Sequence, residues 1–429
     1  MPATLFSNAR LLDPWTHLDQ VGELLAIDGR IAAIGAVPSA QVPQDTIRVD
    51  CRGNCLAPGL VDMRVHIREP GQEHVETIEG TSRTAVSGGI TSLVGLPDTT
   101  PVIDDVSLVE FVTRRARKAG MVNIYTYAAA TKGLDGATLS ELGLMAAAGA
   151  LGFTDGTAPI SDSLVMRRLL SYARTFDQLV IQRPEDPRLA AGGAATEGEI
   201  ASRLGIPGIP AAAELILLER DLRLVELTGG RYHASLISTA AAVHAIATAK
   251  TRGLPVTCDT APPYFTLNET AIDGYSTDAR LSPPLRAEAD RLAIIEGLKN
   301  GTIDAITSDH APVDQDEKRV PFIAATPGAI GLETLLPLVL ALYHRGEMSI
   351  LAALRAVTQA PAQILRLPVG RLAIDSAADL VLFDLDMPWR IGRRGLRLAA
   401  TNTPFEDMSV KGKALKTFVA GRLVYGFDA

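Results

Sequence analysis

The chain has 429 residues, of which 47% are hydrophobic and 21% are charged, and its net charge at pH 7 is -8. This composition excludes a disordered or collagen-like chain, and no uninterrupted apolar run reaches membrane-spanning length. The acidic net charge argues against a nucleic-acid partner bound through a general basic surface. The opening segment MPATLFSNARLLDP lacks the basic and apolar regions of a signal peptide, so we expect a cytoplasmic protein.

The opening segment predicts a small antiparallel β unit. In LLAIDGRIAAIGAV an Asp-Gly pair separates two short alternating runs, which is typical of a hairpin. Similar β-rich segments return near the end of the chain, in ADLVLFDLD, ALKTFVAG and RLVYG. We therefore expect a small β-sandwich domain built from both chain ends, residues 1–56 and 368–429.

Residues 57–367 alternate short apolar runs with helical segments, several of which close with Gly. The strand candidates in chain order are GLVDMRVH, TSLVGLP, VNIYTYAA, ALGFTD, LVIQRP, YHASLIS, LPVTCDT and DAITSDH. Such units predict an α/β fold, a closed (β/α)₈ TIM barrel. An open doubly wound sheet is the alternative, but no G-x-G-x-x-G follows the first barrel strand. Chemistry is expected at the carboxyl ends of the strands, called the barrel mouth below.

The first barrel strand ends in PGLVDMRVHIREPG, where Arg64, His66 and Arg68 share one face because alternate strand residues point the same way. This segment resembles the metal-binding first strand of the amidohydrolase superfamily, in particular the long dihydroorotases, whose version reads His-x-His-x-Arg. Arg64 stands at the first histidine position. Further matching segments follow in the family's order: GITSLVGLPDTTPVID, ATKGLDG, EGEIASRLGIPGIPAAAE, SPPLR, ITSDHAP, GLET and NTPFEDMSVKGK.

The resemblance implies two metal ions held by paired histidines of the first strand, single histidines of the fifth and sixth, and aspartates of the fourth and eighth. The positions that match are His66, Asp155 and Asp309, and those replaced are Arg64, Arg183 and Leu236. Of the seven histidines in the chain, no two lie closer than eight residues. Cys51 and Cys55 have no second pair that would complete a structural zinc site.

The replacements remove metal ligands and add charge. Leucine has no donor atom, and a guanidinium stays protonated at physiological pH. A unit charge 4 Å from a dication costs on the order of 8 kcal/mol at an effective dielectric of about 20. We therefore expect no metal and no other cofactor. We hypothesise that Arg64 and Arg183 fill the metal space and pair with Asp309 and Asp155, because unpaired buried carboxylates are costly.

The positions that the resemblance assigns to substrate are altered as well. Arg68, which would hold a substrate carboxylate, is kept. Asp98 stands where the family has an Asn, and it would oppose an anionic substrate. Ser282 stands where an Asn commonly precedes PPLR. The substrate site therefore reads as vestigial.

Two functions follow from the resemblance. The first is a non-catalytic dihydroorotase-like subunit that supports assembly of the aspartate transcarbamoylase catalytic chain in de novo pyrimidine (UMP) biosynthesis, as a homodimer within a larger hetero-oligomer. The second is an active zinc-dependent dihydroorotase, or a related cyclic amidohydrolase, with a degenerate or mononuclear metal site. Counting ligands favours the first, in which Asp309 is a vestigial residue without a catalytic role.

Overall fold

The computed structural model describes residues 3–392 and 400–427. Its strands are β1 Thr4–Asp13, β2 Leu18–Ile27, β3 Arg30–Gly35, β4 Ile47–Asp50, β5 Cys55–Pro58, β6 Leu60–Val65, β7 Ile90–Gly95, β8 Asn123–Thr126, β9 Leu179–Gln182, β10 Ala195–Thr196, β11 Gly208–Ile209, β12 Arg231–Ala234, β13 Val256–Thr260, β14 Ala305–Ile306, β15 Leu380–Arg390, β16 Ser409–Val419 and β17 Arg422–Gly426. Its helices are α1 Ile78–Ser87, α2 Val106–Ala119, α3 Leu142–Ala147, α4 Ser163–Thr175, α5 Glu199–Leu204, α6 Ala212–Thr228, α7 Ala240–Thr251, α8 Pro262–Thr266, α9 Glu288–Lys299, α10 Gln315–Lys318, α11 Leu335–His344, α12 Ile350–Arg355 and α13 Gln359–Leu365.

Strands from both chain ends share one sheet, in the order β17-β16-β15-β5-β1-β2-β3, with β4 beside β1. The predicted hairpin is confirmed: β2 and β3 pair antiparallel and are joined by Asp28 and Gly29, whose φ values of 49° and 78° suit a type I′ turn. Phe6 and Phe418 pack edge to face on the buried side, with ring centroids 4.9 Å apart. The domain limits at residues 56 and 368 stay a prediction.

The central strands form two parallel sheets, β6-β7-β8 and β9-β12-β13-β14. Single bridges link them: Phe153 bridges both Ala128 and Val180 on one side, and Val65 bridges His310 on the other. The predicted fourth strand, ALGFTD, is thus reduced to a bridge at Phe153. The backbone of this segment is nevertheless hydrogen-bonded to both neighbours, since the Leu151 N–H donates to the Thr126 carbonyl at 3.0 Å and the Phe153 N–H to the Leu179 carbonyl at 2.9 Å.

Helices follow most of the parallel strands, as predicted, and their termini follow ordinary capping rules. Asp105 caps α2 by accepting from the Leu108 N–H at 3.1 Å. Gly120 and Gly229 close α2 and α6 with left-handed φ values of 61° and 68°, which confirms the predicted glycine stops. Within the described ranges, no helix is both long and apolar enough to cross a membrane. Because the strands are parallel, their carboxyl ends gather the predicted site residues at one face.

Candidate functional site

The centre of the barrel mouth is an ion pair between Arg64 and Asp309. The Arg64 side chain comes from β6, is only 2% exposed, and donates through Nε to Asp309 Oδ1 at 2.9 Å. Burial raises the pKa of Asp309, and the Arg64 charge partly offsets that effect. The structure therefore agrees with the hypothesis that the Arg64 guanidinium pairs with this aspartate.

Asp62 accepts hydrogen bonds from both of the chain segments that carry this ion pair. Its Oδ1 accepts from the Arg64 N–H at 3.2 Å, the Thr307 hydroxyl at 2.6 Å and the Ser308 N–H at 3.1 Å. These bonds connect β6 to the segment that follows β14. The backbones of the two elements that carry Arg64 and Asp309 are thereby fixed relative to each other.

His66 is paired with Asp98, which the sequence did not predict. His66 Nδ1 lies 2.7 Å from Asp98 Oδ2. Burial alone would raise the pKa of Asp98, but His66, Arg68 and Arg64 outweigh it and lower that pKa to about 2. Asp98 is therefore an ionised acceptor, and Nδ1 of His66 carries the proton between them. The Asp98 carboxylate, which we expected to oppose an anionic substrate, is thus also the hydrogen-bond partner of His66.

Arg183 does not pair with an aspartate, so that part of the hypothesis is wrong. Its Nη1 donates to Glu185 Oε1 at 3.1 Å and to Ser282 Oγ at 2.8 Å, and its Nη2 donates to the Thr157 carbonyl at 2.7 Å. Glu185 lies two residues further along the same strand end, on the same face. That spacing is a signal in the sequence from which this partner could have been predicted, but we expected an aspartate instead.

Asp155 is likewise held by a different group. It accepts from the Thr131 backbone N–H at 2.9 Å and from the Thr131 hydroxyl. Burial is the largest influence and raises the pKa of Asp155 to about 6. No arginine is among the hydrogen-bond partners the structure gives to this carboxyl group. A buried carboxyl can avoid an ionic partner in this way, because it is neutral over part of the accessible pH range.

Leu236 is 1% exposed and has a left-handed backbone, with φ of 58°. Its N–H donates to Asp259 Oδ1 at 2.6 Å, while Asp259 Oδ2 lies 2.9 Å from His233 Nε2. Asp309 also has a left-handed φ, of 49°. Two positions that the resemblance assigns to metal ligands thus share a backbone geometry that β-strand residues seldom adopt.

His310 is not free to act as a general base. The Gly331 N–H donates to its Nδ1 at 3.1 Å, so the proton of a neutral imidazole lies on Nε2. That nitrogen is 3.1 Å from Glu76 Oε2, and both side chains are at most 1% exposed. Both ring nitrogens are therefore used in the fold, which agrees with a structural reading of the Asp-His pair in TSDHAP.

Arg68 is directed at the loop beyond the mouth. Its Nε and Nη2 donate to the Pro312 carbonyl at 3.1 and 2.9 Å, and its Nη1 donates to Gln72 at 3.3 Å. With Asp98 on His66 and Ser282 on Arg183, each of the three predicted substrate positions has a partner inside the protein.

The side chains present do not fit the paired metal ions that the resemblance implies. A catalytic zinc normally needs three nitrogen, sulfur or carboxylate ligands. The described ranges contain no group of three or more His, Cys, Asp or Glu placed to hold one metal ion. Asp309 is paired with Arg64, and a second ligand position is Leu236. The donor chemistry of the mouth is that of an ion-pair network.

Removing one partner of the Arg64–Asp309 pair should be more harmful than removing both. Arg64→Met should lower the free energy of unfolding by about 3–5 kcal/mol, because it leaves Asp309 without its cation. The double variant Arg64→Met/Asp309→Asn should recover part of that loss. Urea unfolding of both singles and the double measures the coupling. Arg83→Met, at an exposed arginine, is the matched control, and a strictly additive double variant would contradict a direct pair.

Asp155 should make stability depend on pH. Its folded pKa of about 6 exceeds the value of about 3.9 for an aspartate in an unfolded chain, so the folded state binds the proton more tightly. This stabilisation is complete below about pH 4 and is lost as the pH rises through 6. Relative to Asp155→Asn, the wild-type free energy of unfolding should fall by about 3 kcal/mol between pH 4 and 7. Chemical unfolding across that range measures it, and parallel curves for the two proteins would refute the assignment.

The chain is similar to known proteins over nearly its whole length. Residues 53–242 match the model of the family described as dihydro-orotase-like, and residues 219–424 match the amidohydrolase family. A dihydroorotase of Anaplasma phagocytophilum is 43% identical over 424 residues, covering 98% of this chain and 94% of the relative. A dihydroorotase of Syntrophotalea carbinolica is 42% identical over 422 residues, covering 98% of each.

The fold is similar to that of solved hydantoinases. The L-hydantoinase (dihydropyrimidinase) of Arthrobacter aurescens superposes with a TM-score of 0.87 at 24% identity, covering 99% of this chain and 96% of that one. The dihydropyrimidinase of Brevibacillus agri superposes with a TM-score of 0.83 at 22% identity, covering 98% and 94%. These neighbours confirm the predicted amidohydrolase-type α/β fold. With relatives above 40% identity over the full length, the chain belongs to the dihydroorotase-like family of the amidohydrolase superfamily.

Proposed function

We propose that this chain is a non-catalytic dihydroorotase-like subunit that supports assembly of aspartate transcarbamoylase in pyrimidine biosynthesis. Some bacteria carry an inactive dihydroorotase homologue with this role, and the sequence resembles such proteins. In this role the outer surface of the barrel binds the partner, and the barrel mouth carries out no reaction. Its partner would be the catalytic chain of the transcarbamoylase, bound by a homodimer of this chain in the cytoplasm.

The observation that carries the proposal is the buried Arg64 guanidinium bonded to Asp309. Hydrolysis of a cyclic amide by a metal-dependent barrel requires a metal-activated water. At this position the aspartate is paired with a cation that stays protonated at physiological pH and that would repel a dication. Two histidines of the mouth, His66 and His310, are candidates for general-base chemistry. His66 is bonded to Asp98, and His310 is engaged through both ring nitrogens.

The fold around the mouth supports the scaffold side of the proposal. The chain keeps the length of its dihydroorotase relatives, with 98% of this chain aligned. The charged side chains at the altered positions have partners inside the protein, as Arg183 has in Glu185 and Ser282. Such internal partners would keep the barrel folded, and its outer surface available for assembly, without requiring that the mouth hydrolyse a substrate.

The alternative is a working dihydroorotase or related cyclic amidohydrolase. The observation in its favour is the name of the relatives, several of which are dihydroorotases at 40–43% identity. It would need metal ligands other than the family's histidines. Metal content and turnover separate the two functions.

The purified chain should hold well under one zinc ion per chain and should not hydrolyse dihydroorotate above background. The triple variant Arg64→His, Arg183→His, Leu236→His should gain zinc, because it restores imidazole donors, and because histidine tolerates the left-handed backbone at position 236 better than leucine. Its turnover should stay low while Asp98 is present. Elemental analysis and a dihydroorotate assay give the readouts; tightly held zinc with turnover in the unmodified chain would overturn the non-catalytic assignment.

The chain should co-elute with the aspartate transcarbamoylase of its own organism in size-exclusion chromatography and should raise that enzyme's stability or activity. Asp155→Asn is the matched control, because this change lies inside the barrel mouth, leaves the Arg64–Asp309 pair in place and should leave assembly intact. Independent elution of the two proteins, with unchanged transcarbamoylase activity, would rule out the partner while leaving the absence of catalysis untouched.

A further inference from the structure

Arg64 has more hydrogen-bond donors than its protein partner uses. A guanidinium has five N–H donors, and Asp309 accepts from Nε alone. Nη1 and Nη2 are both buried and have no hydrogen-bond partner among the described residues. Leaving buried charged donors unpaired costs more than leaving neutral ones. Nη1 and Nη2 of Arg64 therefore need a hydrogen-bond acceptor that the described residues do not supply.

The hydroxyl of Tyr127 is in the same situation. It is buried and has no partner within the part of the chain that the structure describes. Tyr127 directly follows β8 and lies close enough to Arg64 for the guanidinium charge to influence its ionisation. Burial holds the Tyr127 pKa far above its ordinary value, so the phenol keeps its proton and is available to donate. Two side chains from different strands thus present unused donors in one region of the barrel interior.

The nearby carboxylates do not satisfy these donors. Asp309 lies on the Nε side of Arg64, and Asp98 Oδ2 is taken by His66. Asp62 Oδ1 is fully used by backbone and hydroxyl donors, and burial raises the pKa of this group, which favours its neutral form. Asp98 Oδ1 and Asp62 Oδ2 are themselves buried without partners, so they do not bond the free edge of Arg64.

Arg68 has no carboxylate bonded to it among the described residues. Arg68 is bonded only to neutral acceptors, the Pro312 carbonyl and the Gln72 side chain. Arg64 is bonded to Asp309 through Nε, and the bonded partner of Asp98 is His66. A monoanion at the free edge of Arg64 would meet two unused guanidinium nitrogens without displacing an existing pair.

The geometry points to a binding site for a small carboxylate anion at the barrel mouth, held by Nη1 and Nη2 of Arg64 and by the hydroxyl of Tyr127. The planar fork of a guanidinium matches the two oxygens of a carboxylate, and such charge-assisted bonds are the stronger class. Because these donors have almost no contact with solvent, the site selects a compact ligand. The site occupies the place of the lost metals and does not depend on the proposed partner.

Acetate is the probe, titrated against sodium chloride of equal ionic strength at constant pH. The wild-type chain should show a saturable rise in unfolding temperature with acetate, and calorimetry should give a millimolar dissociation constant. Tyr127→Phe should weaken acetate binding about tenfold, since one hydrogen bond to a charged ligand is lost. Arg64→Met/Asp309→Asn should abolish it, because it removes both the guanidinium and the carboxylate that would otherwise be left unpaired.

Arg83→Met is the matched control, since Arg83 is exposed and bonded to Glu79, and its response to acetate should equal that of the wild type. Inorganic phosphate, titrated in the same way, should bind less tightly if the site is shaped for a planar carboxylate. A wild-type chain that responds to acetate no more than to chloride would show that water fills the site, and would overturn the inference. An unaltered response in Tyr127→Phe would also overturn it, even where the double variant does not fold.

Discussion

The buried ion pair of Arg64 and Asp309 is the interaction on which the arrangement of the barrel mouth depends. Arg64 comes from the first parallel strand and Asp309 from the segment after the last one. Within the described residues, one bridge, between Val65 and His310, joins the backbones there. The pair therefore closes the ring of strands at a point where the backbone ladder is short. The guanidinium and the carboxylate thus hold the first strand and the segment after the last strand together at the mouth.

The other polar groups of the interior follow from the same constraint. A low-polarity interior tolerates a charge only when its partner is close and well oriented. Arg183 meets this requirement through Glu185, and Arg286 through Ser238 and the nearby Glu214. Asp155 meets it by another route, with a pKa of about 6 and two bonds from Thr131. The mouth has become a set of local pairs, each closed between neighbouring elements.

Elementary patterns predicted much of this arrangement. Alternation along the first barrel strand placed Arg64 and His66 on one face, and the cost of a buried carboxylate predicted the bond to Asp309. The same reasoning failed for Arg183, because charge alone allows either Asp155 or Glu185 as its partner and sequence spacing gives no distances between strands. The pairing of Asp98 with His66 was missed for that reason as well, since 32 residues separate them. The fourth strand is shorter than predicted, with bridges at Phe153 alone, although its backbone is hydrogen-bonded to both neighbouring strands.

The left-handed backbone of Leu236 carries a consequence of its own. Its N–H is bonded to Asp259, which is also bonded to His233, so the surrounding network dictates this conformation whatever side chain occupies the position. A leucine there bears a conformational cost of about 1–2 kcal/mol without coordinating anything in return. The leucine side chain offsets that cost, because it packs in a buried apolar cluster with Ala261 and Tyr264, and removing it would leave a cavity.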